Sequence, residues 1–150
     1  MERVDREKEK RVWERVRDRG TMPPLKGDAV APLEGLVREN GAALMKLSRQ
    51  IGGKQGEKLR KLSQDQNRLG MAVRGIGYLR GESWSPSPAS GGKENPRRIL
   101  AACMQRCMEF CRECRDRGAD PDHGLLFLHL ARQASEQAAG MLEVLGELER

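Results

Sequence analysis

Residues 32–79, PLEGLVRENGAALMKLSRQIGGKQGEKLRKLSQDQNRLGMAVRGIGYL, decide the fold. In their first part Leu33, Leu36, Val37, Asn40, Ala43, Leu44, Leu47 and Ile51 recur at steps of three and four, the spacing that lines one side of an α-helix. Pro32 suits the first helical position, because its φ is already helical and its missing N–H has no partner to lose there. Gly52-Gly53 stops the run. From about Glu57 to Leu79 the spacing returns with Leu59, Leu62, Gln66, Leu69, Val73 and Ile76. Two helices joined by so short a turn have to pack antiparallel.

On the C-terminal side, Gly81 to Glu94 is rich in Ser, Pro and Gly and reads as a linker between hairpins (81–94). Extended at ~3.3 Å per residue it reaches about 46 Å, against about 35 Å for the preceding helix at ~1.5 Å per residue. It can run the length of a bundle as a crossover, and it equally permits a slack surface loop. Asn95-Pro96 is an N-cap and first-turn pair, opening a helix with Leu100, Cys103, Cys107, Phe110, Cys111 and Cys114 along one stripe. Asp120-Pro121 repeats the device, and the helix expected after it carries Phe127, Leu130, Ala131, Ala134, Ala138, Met141, Leu142 and Leu145 to the end of the chain.

On the N-terminal side, residues 1–19 have helical composition with a thin apolar edge of Val4, Val12, Trp13 and Val16. This reads as an amphipathic arm that needs a surface to lie on, with Trp13 its anchor, and a second subunit is one such surface. Gly20 and Met22-Pro23-Pro24 end the arm, and 20–31 reads as a linker. The expected fold class is all-α: this arm, then two antiparallel helical hairpins forming a four-helix bundle over 32–150.

Composition agrees. Charged residues make up 33% of the chain against two Trp, one Tyr and two Phe, which favours helices over sheets. A chain of 150 residues fits one domain with a real core. Alternating charges from Glu2 to Arg11 stand where a signal peptide would be apolar, and no run approaches the ~18 apolar residues of a membrane span. No membrane role is expected, and the expected location is the cytoplasm. All four cysteines lie between Cys103 and Cys114, where one helix cannot fold back to pair them, so reduced thiols in a reducing compartment are expected.

The net charge of +6 is uneven. Between positions 46 and 74, Lys46, Arg49, Lys54, Lys58, Arg60, Lys61, Arg68 and Arg74 face only Glu57 and Asp65. A phosphate-binding surface is one reading. The stretch has no aromatic residue for base stacking and no docking motif, so a solvated helical face is preferred and nucleic acid is not an expected partner.

Five stretches carry a resemblance: Arg11-Val-Trp-Glu-Arg-Val16, Leu47-Ser-Arg-Gln50, Leu59-Arg-Lys-Leu62, Gly75-Ile-Gly-Tyr-Leu79 and Leu142-Glu-Val-Leu-Gly146. With two hairpins and a long central linker, the chain resembles the ferritin-like, rubrerythrin-like four-helix bundles, in particular small ferritin-like proteins of gut Firmicutes. The resemblance implies a di-iron site with one Glu from each of two helices and a Glu-x-x-His from each of the other two. It puts Glu39 and Glu113 at the single-Glu positions, where each can equally be a surface carboxylate. Gln66 and Leu69 stand in for one Glu-x-x-His, and Ala134 and Gln137 for the other. These four supply no carboxylate or imidazole, so the resemblance implies a degenerate site. Neither His123 nor His129 falls at a ligand position. Gly52, Gly53 and Gly56 lack the Gly-Lys-Ser/Thr ending of a phosphate loop and read as hairpin-turn residues.

The sharpest chemical pattern is Cys103-x3-Cys107-x3-Cys111-x2-Cys114, four soft ligands along one helical face. It is similar to the cysteine-lined helices of bacterial copper-storage bundles, although those draw cysteines from several helices. Four ligands rising ~6 Å per step cannot converge on one zinc ion, though neighbouring pairs could share a soft ion. The other reading is that cysteine packs here as a small buried hydrophobe, with Met104 and Met108 as core filler rather than thioether ligands.

The expected function is therefore a non-enzymatic ferritin-like bundle that has lost most di-iron ligands and acts as a structural or interaction protein. Its partners would be an unidentified protein and a second copy of itself. The alternative is binding of Cu(I) or Zn through Cys103, Cys107, Cys111 and Cys114, with residual di-iron oxidoreductase chemistry at Glu39 and Glu113 ranked below both. No resident cofactor is expected, iron least of all.

Overall fold

A computed structural model of the chain describes residues 29–82 and 95–149. They form four α-helices, α1 Ala31–Ile51, α2 Gly53–Leu79, α3 Pro96–Asp116 and α4 Gly124–Leu148, and contain no strand. The arm expected over 1–19, including Trp13, lies outside the described residues, as do 20–28 of the first linker and 83–94 of the second.

Val30 precedes α1 without a side-chain cap of its own. The carboxylate of Glu82, just past α2, accepts the Val30 N–H at 2.9 and 3.0 Å and the Ala31 N–H at 2.9 Å. An anion thus sits on the donor-rich helix start, and the end of α2 is fastened to the beginning of α1. At the other end α2 begins at Gly53, earlier than the expected Glu57, with only Gly52 between the helices. Gly52 and Gly53 both have φ of 66°, in the left-handed region glycine enters without strain. A Cβ on Gly56 would stand 2.6 Å from the Ser48 carbonyl oxygen, so this turn closes more tightly than residues with side chains permit.

Asn95 opens α3 as expected: its Oδ1 accepts the Arg97 N–H at 2.8 Å, and Pro96 takes the first helical position. The same reading fails at Asp120-Pro121. Asp120 Oδ1 accepts the N–H groups of Asp122 and His123 at 2.8 and 3.1 Å and closes a separate turn. His123, at φ −130°, then leaves helical geometry, and α4 starts at Gly124.

Each helix packs on two others, α1 on α2 and α3, and α4 on α3 and α2, while the pairs α1/α4 and α2/α3 sit on the diagonals. Arg117, just past α3, reaches the Ala29 carbonyl, and Asn40 reaches that of Cys103, so α1 and α3 run antiparallel. Lys58 meets Glu147 and Arg80 meets Asp120, so α2 and α4 do too. It follows that α2 and α3 run parallel, and that Glu82 and Asn95 lie at opposite ends of the bundle. The described ends of the connection are thus set for a crossover rather than for a loop at one end of the bundle. The connection's reach of about 43 Å at ~3.3 Å per residue exceeds the ~31 Å length of α3.

The described helices share one core, in which Phe110, Phe127, Leu33, Leu44, Leu59 and Met104 are fully buried. Each such side chain contributes about 1.5–3 kcal/mol. Arg80 pairs with Asp120 and lies over the Phe127 ring at 5.7 Å, tying the end of α2 to the start of α4. No described helix is long and apolar enough to cross a membrane.

Candidate functional site

Midway along the bundle the apolar core is interrupted by a belt of polar side chains. Asn40, on the apolar stripe of α1, is fully buried. Its Nδ2 donates to Gln66 Oε1 and to the Cys103 carbonyl, both at 2.9 Å, and its Oδ1 accepts from Arg106 Nε at 2.8 Å. Gln66, also fully buried on α2, donates through Nε2 to Gln137 Oε1 on α4 and to Cys107 Sγ at 3.5 Å. Arg106 continues to the Cys103 sulfur at 3.6 Å and to Glu39 at 3.7 Å. The chain Glu39–Arg106–Asn40–Gln66–Gln137 therefore crosses the bundle from the α1/α3 side to the α2/α4 side.

Burying an amide without partners costs about 1–3 kcal/mol, and here both N–H bonds of Asn40 and of Gln66 have acceptors. A network with its donors used holds the helices in one register, because a slip would strand every member at once. At the α2/α4 end, Gln137 lines a groove of ≈ 490 Å³ together with apolar Leu62, Gly140 and Val144 and the charged residues Lys58, Asp65, Glu136 and Glu143. On this wall Gly140 lets α4 approach Leu62 closely: a Cβ there would stand 3.1 Å from the Leu62 side chain.

The residues singled out for metal chemistry are not gathered at one point. Glu39 pairs with Arg106 at the edge of the belt, its side chain 33% exposed. Glu113 is buried farther along α3, bound to Arg117 Nη1 at 2.9 Å with Arg112 at 3.6 Å. Arg106 and Glu113 are separated by roughly 10 Å of helix rise, which puts the two carboxylates on different levels. Gln66 and Gln137 touch; Leu69 and Ala134 are buried apolar positions, and the Ala134 carbonyl accepts a thiol. Among the described residues no three His, Cys, Asp or Glu side chains are placed to hold one ion.

All four cysteines are buried and free of disulfides. Cys107 Sγ donates to the Ala134 carbonyl at 3.1 Å and Cys111 Sγ to that of Ala131 at 3.3 Å, so these thiols lie against the α4 backbone. Burial pushes the Cys103 thiol up to about 11, partly offset by Arg106, and pushes Cys107 and Cys114 higher still. Protonated thiols are poor ligands and poor nucleophiles.

Lys46, Arg49, Lys54, Lys58, Arg60, Lys61, Arg68 and Arg74 are all exposed. Acidic groups answer several of them: Lys58 meets Glu147 at 2.7 Å, which raises its pKa, Arg60 meets Glu57 at 3.2 Å, and Arg74 meets Glu34 at 3.6 Å. His123 stands at the position before α4 without a side-chain capping bond, and His129 is exposed. The sequence reading placed Asn40 on the α1 stripe but missed its role, and missed Arg106 altogether. An amide on an otherwise apolar stripe is the signal that could have found the belt. Comparison with family models, curated proteins and solved structures returns no match to this chain.

Proposed function

We propose that this chain is a ferritin-like bundle whose metal position has been replaced by a hydrogen-bonded polar belt, and that it acts as a non-catalytic structural or interaction protein. The observation that carries the reading is the Asn40–Gln66–Gln137 chain: Gln66 and Gln137, which the resemblance sets at a Glu and a His position, are neutral amides bonded to each other, and Asn40 bonds Gln66 from α1. Two hairpins joined by a crossover between opposite ends of the bundle also favour the ferritin-like reading. These residues do not fit a di-iron centre: the amides are uncharged and committed to each other, while Glu39 and Glu113 are neutralised by Arg106 and Arg117 on separate levels.

The test is elemental analysis of protein purified under reducing conditions without chelator. The expected result is far less than one metal per chain for iron, manganese, copper and zinc alike. Stoichiometric iron or manganese overturns the proposal. Stoichiometric copper or zinc, lost on Cys107→Ser, transfers the function to the thiol stripe.

A further inference from the structure

From Leu100 to Cys114, about four turns, α3 exposes no residue, although among the described helices it packs only on α1 and α4. A helix with two neighbours has an outward side. The other three show theirs in exposed residues such as Lys46 on α1, Gln64 on α2 and Glu136 on α4. On α3 the outward side is that of Gln105, Glu109 and Arg112. At ~100° per residue Glu109 stands roughly 160° round the helix from Cys107 and from Cys111, whose thiols meet the α4 backbone. Yet Glu109 is only 2% exposed, and Met108 beside it 0%. Arg112 pairs with Glu109 from the same helix, which neutralises the carboxylate but cannot by itself take it out of water. Exposed Arg97 and Arg98 bound the covered stretch at one end, and exposed Arg115 and Asp116 separate it from the turn into α4 at the other. The cover therefore comes from outside the four helices and their turns.

The place where the N-terminal segment joins α1 selects the occupant. The carbonyl of Ala29 accepts from Arg117, which lies one turn past Glu113, so residues 1–28 attach at the C-terminal end of this very face. Residues 20–28 reach about 30 Å at ~3.3 Å each, and residues 1–19 as a helix would be about 28 Å long, against the ~22 Å of α3 that is covered. Residues 1–19 bring the apolar edge of Val12, Trp13 and Val16 to set against Met108 and Ala101. They also bring eight Lys and Arg against six Asp and Glu, toward a face with two buried carboxylates, Glu109 and Glu113. The 83–94 segment is held at both ends across the length of the bundle and offers one cation, Lys93.

We infer that residues 1–19 lie as a fifth helix along the outward face of α3 of the same chain, with the Val12–Trp13–Val16 edge toward Met108 and Glu109. The inference does not depend on the fate of the metal position, because the polar belt faces the interior of the bundle and this surface faces out.

The experiment is a photo-cross-link in the full chain, with p-benzoylphenylalanine in place of Ala102, a half-buried position on the covered stretch. It is run at about 1 µM, where weak contacts between copies are rare. The expected product has the mass of one chain and joins position 102 to residues 1–19. Cross-links to 83–94, or to a second chain, overturn the inference. Peroxide oxidation of methionines, read by peptide mass spectrometry, tests it independently. In the wild type exposed Met71 should oxidise at least about tenfold faster than Met108. In the double variant Val12→Glu, Val16→Glu, Met108 should quicken about fivefold or more, while Met104 and Met141, buried between the helices, stay protected. If Met108 stays protected in that variant, or if Met104 and Met141 quicken with it, the arm is not a separate cover of α3 and the inference fails.

Discussion

Asn40 shows how one polar side chain in an apolar stripe governs its neighbours. Replacing it by leucine leaves Gln66 Oε1, the Cys103 carbonyl and Arg106 Nε without their partner. Asn40→Leu should cost about 2–4 kcal/mol in urea denaturation. Asn40→Leu combined with Gln66→Leu should cost less than the two separate losses together, since the second change removes a group the first had stranded. The buried thiols set a limit at high pH. Their folded pKa values lie above the ordinary 9.0, so the stability they contribute is intact below pH 9 and is withdrawn as the pH climbs toward the folded values. For Cys103 the loss between pH 9 and 11 is on the order of 2–3 kcal/mol. The melting temperature should therefore fall above pH 9, and less steeply in Cys103→Ala.

At the level of the helices, the ends are made in different ways. The start of α3 is local, an Asn side chain one residue before a proline, and it was legible from Asn95-Pro96. The start of α1 depends on Glu82, more than fifty positions away in the chain and invisible to any local pattern. Glu82→Ala should cost about 1 kcal/mol, and Glu82→Gln less because it keeps an acceptor. Amide hydrogen exchange at Val30 and Ala31 should quicken in the alanine variant, while exchange at mid-α1 slows or quickens only with global stability. Asp120-Pro121 looked identical to Asn95-Pro96 in sequence, but its carboxylate was recruited both by its own turn and by Arg80, and the helix began three residues later. These contacts also hold the Asp120 pKa below the usual carboxylate range.

For the whole molecule the decisive feature is that α2 ends where α3 does not begin. The connection from Glu82 to Asn95 has to cover the bundle's length, which makes its chain length a condition of the topology. Deleting residues 85–92 leaves a reach of about 17 Å, too short for the ~31 Å required. The deletion should abolish the bundle formed within one chain, giving a molten or hairpin-exchanged species by near-UV circular dichroism and sedimentation. Inserting eight Gly/Ser residues at the same place should change stability by less than about 1 kcal/mol, because loop-closure entropy grows only logarithmically.

The periodicity of residues 32–79 and the cap-like pairs determined, without a structure, that four amphipathic helices form two hairpins, because helix period and turn chemistry are local properties. Where the resemblance implies di-iron ligands, the residue identities alone show that Gln66, Leu69, Ala134 and Gln137 supply no carboxylate or imidazole. It could not decide between crossover and slack loop, since both fit the linker's composition. Nor could it show that Asn40, Gln66 and Gln137 meet while Glu39 and Glu113 do not. Those outcomes depend on which helices become neighbours and at what level, and that is set by packing and charge pairing between residues far apart in the chain.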